Sequence, residues 1–285
     1  MNQKKAAPSA QKRPRFETPP PPPPGLAARQ AAAAAFADVV ANGRSLDERF
    51  AAGSHFSLDL RDRALARSIV VASLRRLGTI RAALARFLER GLPKKGGPLE
   101  YILTISAAQI LFMDVPDHAA VDLAVHAARA DQRSAPFAAL VNAVLRNIAR
   151  EKDSILAVED PFLDMPMWLA ARWRKAYGED VAARMAQMMR YEPTLDLTVR
   201  GDGQEWADKI GGIVLPTGSV RLVNRAAIDE LPGYAEGQWW VQDAAAAMPA
   251  QLLNVRAGER VADLCAAPGG KSAQLAAAGA EVVAL

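Results

Sequence analysis

From Leu26 to about Lys152 apolar residues recur at three- and four-residue spacing, as in Leu65, Ile69 and Ala72 and again in Leu99, Ile102, Leu103 and Ile110. That is the period of helices that turn one face to a core. Punctuation divides the stretch into roughly six or seven of them. Pro98 opens one helix, Ser134 with Pro136 another, and Asp114, Val115 and Pro116 form a break before a helix that starts near His118. From Asp153 to Gln238 the rhythm becomes mixed. Pro166 opens a helix that Gly178 closes, Leu195, Leu197 and Val199 alternate as one face of a strand, and Ile213 to Leu215 and Val220 to Val223 read as further short strands. WWVQDAAAAMPAQLL then carries a strand end into a helix. In VADLCAAPGGK, Val261 to Lys271, an apolar run breaks into a small-residue loop and enters a second helix, after which AEVVAL reads as another strand.

The predicted fold class is therefore multidomain. Residues 1–25 form a disordered, basic, proline-rich tail, 26–152 an all-α domain, 153–238 a small α+β module, and 239–285 the opening of an α/β, Rossmann-like domain. The tail reads as solvated because Lys, Arg, Gln and the run Pro19 to Pro24 offer too little apolar surface to offset the entropy of ordering.

Charge changes this picture by locating a binding face. The net charge is +4, and residues 1–25 hold five basic side chains against Glu17 alone. Of the remainder, residues 26–152 hold 18 basic and 12 acidic side chains, and residues 153–285 hold 12 and 18. The helical part is thus the candidate polyanion binder. Its charge is concentrated between residues 61 and 95, where ten basic side chains, among them Arg67, Arg75, Arg76, Arg81, Arg86, Arg90, Lys94 and Lys95, meet only Asp62 and Glu89. The alternative to an RNA-binding face is a solvated helix surface. Phe87 is the only aromatic residue in that run, so phosphate and shape recognition fit it better than base stacking. Trp239 and Trp240 could stack a base or belong to the core.

No run of apolar residues approaches the length of a membrane span, and Pro19 to Pro24 interrupt any amphipathic transit helix, so a cytoplasmic location is expected. One cysteine, Cys265, excludes an internal disulfide, and His55, His118 and His126 are too scattered for a metal cluster, so no metal is expected.

Three kinds of nucleotide loop compete for Val261 to Lys271. A P-loop would match Gly270, Lys271 and Ser272 but places Cys265 where its first glycine belongs, and Gly269, Gly270 and Gly279 do not make a dinucleotide fingerprint. An acidic residue at the strand end, Asp263, followed by small residues suits a ligand with an amino-acid part and a nucleoside part, such as S-adenosylmethionine. DLCAAPGGK resembles the cofactor motif of the RNA cytosine-5 methyltransferases of the RsmB/NOP2/Sun family. LPGYAEGQWWVQDAAAA resembles the segment before that motif, in which a Q-D pair, here Gln242 and Asp243, opens a helix beside the cofactor. VPDHAAVDLAV and ALVNAVLRNIAR are similar to the NusB-like domain of the bacterial RsmB branch, and PMWLAARWRKAYG to its intermediate module.

The resemblance implies an all-α NusB-like domain, a methyltransferase domain cut short after the cofactor motif, and S-adenosyl-L-methionine held by Cys265, Ala266, Ala267, Pro268, Gly269, Gly270 and Lys271. It implies 5-methylcytosine in small-subunit ribosomal RNA as product, with that RNA as partner. Cytosine C5 chemistry needs a thiolate added at C6. In the resembled family that nucleophile and a second cysteine lie in proline-cysteine and threonine-cysteine motifs downstream of the cofactor loop, and the ribose-gripping acid follows the second strand; none of these falls within residues 1–285. No catalytic residue is therefore assigned, and the chain alone is expected to be inactive. Cys265 reads as a buried structural residue, His118 as a helix-start cap or packing residue, and Lys271 as either a solvated helix-start charge or a cofactor contact. Two competing functions are a non-catalytic NusB-like RNA-binding protein in transcription antitermination or ribosome assembly, and a phosphate-binding NTPase.

Overall fold

The computed structural model describes residues 21–51, 58–158, 160–224 and 228–285. Most of the expected tail, and His55, lie outside these residues. The chain divides into two compact units, residues 1–191 and 192–285.

The first unit is helical: α1 (Leu26–Asn42), α2 (Leu46–Phe50), α3 (Leu60–Arg75), α4 (Leu77–Phe87), α5 (Leu99–Phe112), α6 (Asp117–Ala130), α7 (Ala138–Arg150), α8 (Lys152–Leu156), α9 (Met167–Tyr177) and α10 (Glu179–Met188). The expected breaks at Pro98, Pro116 and Pro136 each precede a helix, the last through a 3₁₀ turn at Ala135–Phe137. Among the described residues, 26–150 hold seven helices, α1 to α7, within the six or seven expected, and the five-residue α8 follows. α5 is the central element, apolar on nearly all sides and touching α1, α3, α4, α6 and α7. A helix of that kind needs cover all round. Two of its buried polar side chains bond back to its own backbone, Thr104 Oγ1 donating to Glu100 O at 2.8 Å and Gln109 Nε2 to Ile105 O at 3.0 Å.

The helical unit extends beyond the expected limit at residue 152, and Asp164 shows why. Its side chain is 5% exposed and accepts hydrogen bonds from Arg76 Nε (2.9 Å), Thr79 N (2.7 Å) and Thr79 Oγ1 (2.9 Å), with Arg190 Nε at 3.1 Å. A loop carboxylate between α8 and α9 thereby caps the N-terminus of α4, a position that favours negative charge. Gly78 permits the approach, because a Cβ there would lie 1.7 Å from Leu163 O.

The second unit begins with a four-stranded antiparallel sheet of β1 (Asp196–Val199), β2 (Gly212–Val214), β3 (Val220–Leu222) and β4 (Trp239–Val241) in the order β2-β3-β1-β4, with α11 (Gly203–Ile210) between β1 and β2. Leu197, Leu222 and Trp239 form its core. The expected boundary at residues 238 and 239 thus cuts through a sheet, since Trp239, Trp240 and Val241 pair with Val199, Thr198 and Leu197. α12 (Ala244–Leu253) then leads to β5 (Arg260–Asp263), α13 (Gly270–Ala277) and β6 (Glu281–Ala284). β5 and β6 are parallel, Arg260 opposite Glu281 and Asp263 opposite Ala284, so the expected βαβ unit is present. Among the described residues no helix is long and apolar enough to cross a membrane.

Candidate functional site

The segment Cys265 to Lys271 runs from the carboxyl end of β5 into the first turn of α13. Asp263 closes it like a staple: Oδ1 accepts from Cys265 N at 3.2 Å and Oδ2 from Ser272 Oγ at 2.7 Å. The loop is also tied to β6, as Ala266 N donates to Leu285 O at 3.2 Å and Leu285 N to Asp263 O at 2.9 Å. Asp263 therefore shapes the loop through both of its oxygens.

The two glycines serve different ends. Gly269 caps α13 at φ 110°, a region that side chains disfavour, and nothing lies within 4 Å of where a Cβ would stand. The loop is open on that side. Gly270 is crowded instead, its missing Cβ facing Gln242 Cδ at 3.2 Å and Nε2 at 3.3 Å. α13 leaves its first N–H groups without intrahelical acceptors, the usual state of a helix start. Lys271 stands exposed on this turn. Cys265 is exposed, contrary to the expected buried cysteine, because it lies in the turn beyond β5 rather than on the strand.

Behind the loop lies Gln242, 7% exposed. Its Oε1 accepts from Trp240 Nε1 (2.8 Å) and Thr198 Oγ1 (2.9 Å), while its Nε2 donates to Gln274 Oε1 (2.7 Å) and Ala246 O (3.3 Å). Gln274 in turn donates to Ala247 O at 3.1 Å. The Q-D pair thus splits its work. Asp243 caps α12 through Ala245 N (2.8 Å) and Ala246 N (3.2 Å), and Gln242 braces α13. Gln274 went unread in the sequence; its signal is one amide in a helix of otherwise small residues, GKSAQLAA. Asp196, 1% exposed, anchors the same region. It takes Arg221 Nε and Nη2 at 2.7 and 2.9 Å and Ala244 N at 3.2 Å. The Arg221 hydrogen bonds hold the Asp196 carboxyl below its ordinary value, and the same bonds raise Arg221.

The basic residues of the helical unit separate into two groups. Arg67 pairs with Asp47 at 2.8 Å, Arg86 with Glu151 at 2.5 Å, and Arg76 is held by Asp164 and lies 4.2 Å over the Phe112 ring. Each has a carboxylate partner, but only the Arg76–Asp164 pair is largely buried, the side chains of Arg67 and Arg86 being about half exposed. Arg81, Lys94 and Lys95 are exposed and make no ion pair among the described residues. Arg75 is half-buried on α3, and desolvation lowers its pKa. His118 is exposed, and among the described residues its side chain makes no hydrogen bond. Among the described residues no three His, Cys, Asp or Glu side chains gather as a metal site.

Residues 26–150 match the NusB family. The chain is 37% identical over 252 residues to the protein named ribosomal RNA small subunit methyltransferase B of Xanthomonas campestris, covering 84% of this chain and 56% of that one. It is 36% identical to the protein of that name from Xylella fastidiosa strain 9a5c (83% and 58%) and 30% identical to that of Escherichia coli O1:K1 (85% and 58%). The chain thus spans a little over half the length of these curated relatives. A solved structure described as the crystal structure of PH0851 superposes with a TM-score of 0.56 at 17% identity, covering 93% of this chain and 63% of that one.

Proposed function

We propose, from the premise that the chain belongs to the RsmB/Sun family, that it serves S-adenosylmethionine-dependent methylation of cytosine C5 in small-subunit ribosomal RNA, in the cytoplasm. The observation that carries the cofactor reading is the open glycine loop at the carboxyl end of a parallel strand, with Gly269 at φ 110° and free space beside it. Ligands of α/β sheets bind at that end of the strands, and backbone approach without side chains is what the loop allows. β5, α13 and β6 are read as the opening of a Rossmann-like methyltransferase sheet on the same grounds.

Cys265, Ala266, Ala267, Pro268, Gly269, Gly270 and Lys271 would hold the cofactor. Their small side chains fit a group bound mainly through main-chain donors, and Lys271 adds positive charge at its edge. S-adenosylmethionine supplies an electrophilic methyl group when bound. Asp263 fixes the loop's path and Gln242 fixes the start of α13, so both act as positioning residues. The chain's one cysteine belongs to this loop, and methylation of C5 needs a thiolate aimed at C6 of the base. The 285 residues by themselves are accordingly proposed to bind cofactor and RNA without transferring methyl groups. The RNA face is assigned to Arg75, Arg81, Lys94 and Lys95, with Arg67, Arg76 and Arg86 each already paired with a carboxylate.

Equilibrium dialysis with labelled S-adenosylhomocysteine tests the reading. Saturable binding that Gly269→Val abolishes is expected; binding that survives this change, or none at millimolar ligand, overturns the cofactor assignment.

A further inference from the structure

The second unit carries a cavity of about 590 Å³ distinct from the cofactor loop, between β1, β4, α12 and the carboxyl half of α13. That volume is in the range of small-molecule sites. Its walls combine the half-buried indole of Trp240, the exposed guanidinium of Arg200, and the polar side chains of Thr198, Gln251, Asn254 and Gln274, with no carboxylate among its lining residues. Small aliphatic side chains complete the lining.

Each part has a state suited to a ligand. Trp240 is immobilised at its edge, because Nε1 donates to Gln242 Oε1 at 2.8 Å. Its neighbour Trp239 is 3% exposed and belongs to the core, so the tryptophan pair divides into one structural ring and one ring that lines a cavity. Arg200 makes no ion pair among the described residues, and its backbone is fixed on both sides, N donating to Gln238 O at 2.8 Å and O accepting from Trp206 Nε1 at 3.0 Å. Asn254 ends α12 at φ 50°, exposed and with no side-chain hydrogen bond among the described residues. Gln251 commits only its Nε2, to Thr217 O at 2.8 Å, which leaves Oε1 as an acceptor.

An aromatic face, a lone cation and unspent amide groups, without opposing acid, are the elements that recognise a nucleotide: stacking for the base, charge for the phosphate, amides for the base edge. We infer that this cavity receives one unpaired nucleotide of the RNA substrate, its base on Trp240, its phosphate toward Arg200 and its edge toward Asn254 and Gln251. The inference rests on the RNA-substrate reading given above. α13 separates the two places, the cofactor loop at its first turn and the cavity along its last, and eight helical residues span about 12 Å. Gln242 touches both, bonded to Trp240 and lying against Gly270.

Fluorescence anisotropy of the 285-residue chain with a labelled single-stranded ten-nucleotide oligoadenylate, and with a ten-base-pair duplex as comparator, tests this. Trp240→Ala is expected to weaken single-strand binding by about tenfold. Trp240→Phe, which keeps a ring and loses the indole N–H, should stay within about twofold of the parent. Arg200→Ala should lower the slope of log affinity against log salt by about 0.7. Duplex binding should be unchanged in all three. If the parent binds and Trp240→Ala binds as tightly, the cavity is not the site, while the RNA reading stands. If the parent binds neither single strand nor duplex at low salt, both fall. Should Trp240→Ala lower the thermal midpoint, Arg200→Ala and Asn254→Ala, both on exposed residues, decide the matter by the same criteria.

Discussion

Gly270 faces Gln242 at van der Waals distance, and this contact makes a residue-scale prediction. An alanine Cβ at 3.2 Å from Gln242 Cδ requires the amide to move, and four hydrogen bonds hold that amide in place. Gly270→Ala is expected to destabilise the second unit by about 1–2 kcal/mol, as overpacking does. The double variant with Gln242→Ala should lose less than the sum of the two single changes, measured by urea unfolding; strict additivity would show that the two residues do not press on each other. Asp196 makes the second. Its carboxyl is held below the ordinary carboxylate value by Arg221, so the stability it adds is complete above the unfolded-state value and is lost as pH falls through the lower folded-state one. Urea midpoints followed from pH 6 downward should show this loss in the parent, and Asp196→Asn should remove that part of the slope while costing about 2 kcal/mol at neutral pH. At this scale the sequence was legible where a residue's backbone decides its role, as for Gly269. It was not legible where a side-chain partner decides it: the bonds of Asp263 to Cys265 N and Ser272 Oγ, and the long-range pairing of Arg76 with Asp164, leave no mark in the local pattern.

Elements were legible where period and punctuation agree. Proline before α5, α6 and α9 and glycine after α9 mark their ends in sequence and structure alike. The four-stranded sheet was harder, because its strands are three or four residues long and Trp239–Val241 pairs with a strand some forty residues earlier, which no local pattern records. α4 depends on a similar long-range partner. Asp164→Ala leaves Thr79 N, Thr79 Oγ1 and Arg76 without their acceptor, and a cost of about 3 kcal/mol to the helical unit is expected. Hydrogen exchange should show the loss concentrated in the first turn of α4; uniform loss across the unit, or none, would contradict the capping role.

For the whole molecule, the formal charge overstates what is available to RNA. Of the basic residues named between residues 61 and 95, Arg67, Arg76 and Arg86 are matched by carboxylates. The combined change of Arg81, Lys94 and Lys95 to Glu should therefore lower ribosomal RNA affinity steeply and reduce the salt slope by about three, measured by filter binding, whereas Arg67→Ala should barely alter it. The helical unit also reaches past the NusB match, which ends at residue 150, to include the carboxylate that finishes α4. During synthesis α4 leaves the ribosome more than seventy residues before Asp164 does. Until then its first turn has only water for an acceptor, so the nascent chain holds every helix of the similarity-defined domain and still waits for the side chain that completes one of them.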